Sequence, residues 1–94
     1  MYARVATYEG ADSATVDEAA QNVRDSERPE GVPATQFFFL VDRAAGKVVT
    51  IGLFETEQDM QTGNETLNGM SPPGGGFGKR TSVDLMEVVA HMSA

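Results

Sequence analysis

The segment "SPPGGGFGKRTS", residues 71–82, contains the residue types of a phosphate-binding loop: three glycines in a row, then Gly78 followed by Lys79. Such a loop reads G-x-x-x-x-G-K-[ST] and lies between a strand and a helix, whose N-terminus holds the anion. Aligning Gly78 and Lys79 with this motif puts Pro73 at the first glycine and Arg80 at the hydroxyl position. The segment also follows a predicted helix and precedes a predicted strand. We therefore predict a connecting loop and no nucleotide site.

Phe77 is the residue of this loop that a ligand would meet. Long loops are often functional, and a flap beside a cleft would place Phe77 over the ligand. The alternative is a plain connection, in which Phe77 anchors the loop on the core.

Arg4 and Tyr8 of the first strand are a second candidate site, together with Asp84 of the last strand. Strand alternation puts Tyr2, Arg4 and Tyr8 on one face. Asp84 and Glu87 have opposite parity, so at most one of them points the same way as Arg4. A charged group between packed layers is either paired or faces a wet cavity. One hypothesis is that Arg4 and Tyr8 orient a small ligand at the polar end of an apolar pocket; the other is a structural ion pair at a dimer seam.

His91 is the one histidine in the chain, and imidazole is a common general base. Its place near the chain end equally fits an exposed side chain without a role. Arg4, Tyr8 and His91 are therefore the candidate catalytic residues. The chain has no cysteine, so neither thiolate metal sites nor disulfides are expected, and we expect no metal and no cofactor.

Length and charge narrow the protein class. With 94 residues we expect a single domain covering 1–94. A formal net charge of −7 argues against nucleic acids and anionic membranes as partners. No signal peptide and no membrane-spanning apolar run is recognisable, so the expected location is the cytoplasm.

Periodicity predicts four strands and two helices. Alternating or apolar runs predict the strands, and apolar residues at i, i+3, i+4 and i+7 predict the first helix. Asp12, Ser13 and Thr15 are all good N-caps for that helix, and Thr56 to Asp59 has capping-box spacing for the second. The predicted strands are 2–9, 36–41, 47–55 and 82–92, and the helices run from about 12–15 to 27 and from 56 to 69. The fold class is α+β with the ferredoxin-like order βαββαβ, a four-stranded antiparallel sheet with both helices on one face.

Both faces of the predicted sheet are apolar. Phe37, Phe39 and Val41 alternate with Phe38 and Leu40, and the other strands behave similarly. Two helices cover one face, and large apolar side chains left on the other would form an interaction patch. We predict a homodimer whose sheets pack face to face. The alternative is that the chain's own loops cover the second face of the sheet.

The chain resembles the dimeric α/β-barrel superfamily, and within it the antibiotic-biosynthesis-monooxygenase-like (ABM) family. The resemblance lies in "MYARVATYEG", "VDEAAQNVRD", "FFFLVDRAAGKVVTIGLFETEQDM" and "SVDLMEVVAHM", with the phrase "VDR-x-x-G-K" in the hairpin turn and "ETEQDM" where a helix follows the third strand. It covers nearly the whole chain and implies a homodimer whose two sheets form a barrel. It also implies a cleft between sheet and helices in each protomer.

Some members of that family oxidise polycyclic aromatic compounds without a cofactor, and others degrade haem, using a tryptophan, a first-strand asparagine and often a histidine. This chain has no tryptophan, and its first strand has no asparagine, so neither chemistry is transferred to it. The candidate ligand-binding residues are Arg4, Tyr8, Phe38, Phe54, Phe77 and Asp84.

Three functions follow as hypotheses. The first is binding of a small apolar or aromatic molecule in the cleft. The second is a non-catalytic dimerisation or accessory module. The third is a cofactor-independent monooxygenase-like enzyme that uses Tyr8, Arg4 and His91 in place of the missing residues.

Overall fold

The computed structural model describes residues 1–25, 31–69 and 78–92. Within them the chain forms an α+β fold. The elements in order are β1 (Tyr2–Glu9), α1 (Ser13–Asp25), β2 (Gln36–Asp42), β3 (Lys47–Phe54), α2 (Glu57–Asn68) and β4 (Lys79–Glu87). The glycine-rich stretch 70–77, with Phe77, lies outside the described residues.

The four strands form one antiparallel sheet in the order β2-β3-β1-β4. β1 is central, with β3 on one side and β4 on the other. Its Arg4 lies opposite Gly52 of β3 and Leu85 of β4. The predicted neighbourhood of the first and last strands is therefore confirmed.

Each helix begins at a polar cap. The Asp12 carboxylate accepts a hydrogen bond from the backbone N–H of Ala14 at 2.9 Å, so Asp12 caps α1. Thr56 has extended backbone angles, and its hydroxyl accepts from the N–H of Asp59 at 3.0 Å, as the capping-box spacing predicts. α2 ends at the predicted Gly69. These local bonds satisfy N–H groups that the helical ladder leaves without partners.

Two clusters of buried side chains fill the layer between the sheet and the helices. In one, Val16 of α1 packs on Ala6, Tyr8 and Val48. In the other, Met60 of α2 packs on Phe54, with Val32 and Ala34 of the α1–β2 connection. Strand register puts the sheet members of both clusters on one face, so both helices cover the same side of the sheet.

α2 lies unusually close to the sheet at Gly63. A Cβ at this position would be 2.6 Å from the Phe54 ring, which is fully buried. The glycine that makes α2 a weak helix by propensity therefore allows this contact.

The second face of the sheet is largely apolar, and neither described helix lies on it. By register it carries the alternate residues of every strand. Phe38, Leu40 and Met86 on this face are 45%, 48% and 49% exposed. The remaining apolar members are Ala3, which is buried, and Val5, Val49, Ile51 and Leu53, which are half-buried. We call this set the open face.

β4 differs from its predicted bounds of 82–92. It pairs along β1 from Glu87, opposite Tyr2, to Lys79, opposite Glu9, with a bulge between Thr7 and Tyr8. Residues after Val88 run past the start of β1, where none of the described strands can pair with them, so their apolar alternation does not lead to strand pairing. At the other end the partner continues, and three further residues join the strand.

Candidate functional site

Arg4 is a charged residue inside the layer between β1 and α2. Only 4% of it is exposed. Its Nε donates to Oδ1 of Asn64 at 2.9 Å, and its Nη2 donates to Oδ1 of Asn68 at 3.3 Å. A guanidinium has donors only, so both asparagines must present their oxygens to it.

The two asparagines reach Arg4 because they are four residues apart on α2. That spacing puts them on one helical face, one turn apart. Asparagine is a poor helix former, so its presence twice on the sheet-facing side is explained by these contacts and not by local propensity.

Arg80 of β4 brings a second guanidinium to the same place. Its Nη1 donates to Oδ1 of Asn68 at 2.8 Å, so one neutral oxygen accepts from two cations. The bulge between Thr7 and Tyr8 sets this position, because it makes Arg80 the partner of Tyr8. Without the extra residue, Arg80 would point to the open face.

No carboxylate neutralises this pair of arginines within the part of the chain that the structure describes. The ion pair found there joins Arg43 to Asp17, on another side of the molecule. Burial lowers the pKa of Arg4 below its usual value; the neighbouring Tyr8 opposes that change, and the charge of Arg80 adds to it. The cluster Arg4–Asn64–Asn68–Arg80, which we call the arginine cluster, therefore holds excess positive charge in a protein of net charge −7.

The candidate residues predicted from sequence fall into two groups. Arg4, Tyr8 and Phe54 lie on the helix-covered face, and all three are buried. Phe38 and Asp84 lie on the open face, both exposed. The structure therefore does not gather these five residues into one cleft.

Asp84 and Glu87 are separated as their parity predicts. Asp84 lies opposite Val5 and points away from Arg4; Glu87 lies opposite Tyr2, on the face of Arg4. Burial raises the pKa of Tyr2, and the charge of Glu87 raises it further. Glu87 therefore acts on Tyr2, and within the protomer the described residues show no ion pair between Arg4 and a β4 carboxylate.

His91 lies beyond the end of β4 and is exposed. Phe77 lies outside the described residues. His91 is not placed beside the arginine cluster.

Gly78 has a structural reason to be glycine. Its φ is +83°, and a Cβ there would be 2.3 Å from the carbonyl oxygen of Glu9. The Gly78-Lys79 pair thus turns the chain close against the end of β1 and starts a strand, not the helix that a phosphate loop requires.

Sequence reasoning missed three members of the arginine cluster: Asn64, Asn68 and Arg80. The available signal was a pair of asparagines at i and i+4 on a helix, where better helix formers would be expected. Arg80 gave no such signal, because its direction depends on a bulge.

The described residues hold no group of three His, Asp or Glu side chains positioned for a metal ion. Neither α1 nor α2 has the length and apolar character needed to cross a bilayer, and no other described helix exists to do so. No family model, no curated protein and no solved structure matches this chain.

Proposed function

We propose that the protein binds a small apolar or aromatic molecule between the sheet and α2. The observation that carries this proposal is Arg4, a buried cation held by two amide oxygens beside apolar side chains. Ligand sites are typically apolar with a few convergent polar groups. Burying a charge that no carboxylate neutralises costs stability, and functional sites are where proteins commonly keep such groups.

The proposed architecture is a ferredoxin-like protomer in a homodimer of the dimeric α/β-barrel type. The element order βαββαβ and the shared helix face support the ferredoxin-like plan. The open face supports the dimer, because three of its large apolar side chains are nearly half exposed. A site in each protomer would then lie on the side of the sheet away from the partner.

A thermal-shift screen of small aromatic compounds tests the binding proposal. Saturation at 100 times Kd should stabilise the protein by about 2.7 kcal/mol. For each compound that raises the Tm, amide chemical shifts locate the site; we expect changes at Asn64, Asn68 and Leu85. Changes confined to Phe38 and Leu40 would place binding on the open face and contradict the proposal. A panel that leaves the Tm unchanged would favour the accessory-module alternative.

A further inference from the structure

We propose that the arginine cluster binds a carboxylate, so that the ligand is a carboxylic acid with an apolar body. This inference rests on the proposed function and names the chemical class of its ligand. The recognising group is the end of the Arg4 guanidinium formed by Nη1 and Nη2, with Arg80 beside it.

The first step concerns which part of Arg4 is occupied. A guanidinium has two edges, and each can donate two parallel hydrogen bonds to a carboxylate. One edge is formed by Nε and Nη2, and the other by the two Nη atoms. Asn64 and Asn68 occupy the first edge. No described residue accepts a hydrogen bond from Nη1, so no described residue occupies the second edge.

The second step concerns access to that edge. Every fully buried side-chain nitrogen or oxygen in the described part of the chain has a hydrogen-bond partner. Nη1 of Arg4 has none there, so this atom must reach the accessible surface although 96% of the residue is hidden. A largely desolvated cation interacts more strongly with an anion than a fully exposed one does.

The third step is the hydrogen-bonding character of the cluster. Both asparagine oxygens accept from guanidinium groups. The hydrogen-bonding groups of the arginine cluster that have no partner yet are mostly N–H groups. The cluster therefore offers donors almost exclusively. A carboxylate has acceptors only, and its charge would offset the two cations.

The fourth step gives the ligand an apolar body. Leu85 lies directly opposite Arg4 on β4, on the same face, and is 41% exposed. Val83, one step further along that face, is half-buried. These side chains provide apolar surface next to the charged group, which suits an aromatic or aliphatic acid better than a free inorganic anion.

The test compares 1-naphthoate with 1-naphthamide, which share shape and differ in charge. NMR titrations of the full chain follow the Arg Nε resonances and the amides of α2 and β4. We expect the carboxylate to bind at least tenfold more tightly than the amide, and Arg4 Nε to shift only with the carboxylate. Arg80→Gln should weaken naphthoate about threefold and leave naphthamide unchanged. Arg4→Lys, which keeps the charge and loses the fork, should weaken naphthoate about tenfold.

Arg24→Gln is the matched control, since it removes one positive charge from the exposed side of α1. If Arg24→Gln and Arg80→Gln weaken naphthoate equally, the effect is general electrostatics and the inference fails. Equal affinity for the acid and the amide would also overturn it, while leaving ligand binding intact. Absence of binding by both probes and by the whole aromatic panel would instead refute the proposed function, and this inference with it.

Discussion

Gly63 shows how a single residue can matter through the side chain that it lacks. By propensity, glycine in a helix interior is about 1 kcal/mol worse than alanine. Here the missing Cβ lets α2 approach the fully buried ring of Phe54. The same approach lets Asn64, the next residue, reach Arg4. A local weakness of α2 thus supports the geometry of the arginine cluster.

Gly63→Ala should therefore destabilise the protein, against the propensity rule. The added methyl would lie 2.6 Å from the Phe54 ring, and overpacking a core costs about 1–3 kcal/mol. That cost is at least as large as the stabilisation of about 1 kcal/mol expected from the higher helix propensity of alanine. We expect a net loss of about 1 kcal/mol in urea unfolding. Thr62→Ala, at the exposed neighbouring position, is the control and should be neutral or stabilising. A Gly63→Ala protein more stable than wild type would show that α2 can move away from the sheet without loss.

At the level of elements, α1 and the β2–β3 turn are held together at the surface. The N–H of Ala11, just before α1, donates to the carbonyl of Gly46 at 3.0 Å. Arg43 in the same turn forms an ion pair with Asp17 of α1. Gly46 has a φ of +65°, as its place in the predicted turn requires. The turn therefore helps to fix where α1 lies on the sheet.

The Arg43–Asp17 pair predicts a defined pH dependence. The hydrogen bond from Arg43 is the main cause that lowers the pKa of Asp17 below its ordinary value of 3.8. The resulting stability is present above that value and is lost as the pH falls through the lower folded-state pKa. A carboxyl ¹³C titration should show the depressed pKa in wild type. Arg43→Gln should return the pKa of Asp17 towards 3.8, and 0.5 M NaCl should act in the same direction. An unchanged pKa in Arg43→Gln would mean that the pair contributes nothing in solution.

The elements were largely predictable, because their signals are local. Alternation gave β1 its two faces, and Thr56 and Gly69 marked the ends of α2. The features that the sequence did not predict depend on partners that are distant in sequence. The end of β4 is set by where β1 begins, and the direction of Arg80 is set by a bulge in the pairing. The arginine cluster joins three elements, so only Arg4, whose burial follows from strand parity, was accessible from sequence.

For the whole molecule, the decisive feature is that both described helices lie on one side of the sheet and neither lies on the other. The open face carries Phe38, Leu40 and Met86, each worth about 1.5–3 kcal/mol when fully buried. A 94-residue chain without disulfides has few sources of stability beyond its own small core, and association with a second copy is one of them. A second copy presents the same apolar surface, so a two-fold contact buries both at once.

We therefore expect light scattering with size-exclusion chromatography to give twice the chain mass at low micromolar concentration. Leu40→Glu should shift the protein to monomer, because it would put a carboxylate in place of one of the most exposed apolar side chains of the open face. Gln58→Glu also adds one negative charge, at an exposed position of α2 on the other side of the sheet from the open face. It should leave the dimer intact. The dimer should also show a Tm that rises with protein concentration, and Leu40→Glu should abolish that dependence. A wild-type protein that stays monomeric at 100 μM would contradict the two-fold contact, and the open face would then need another explanation.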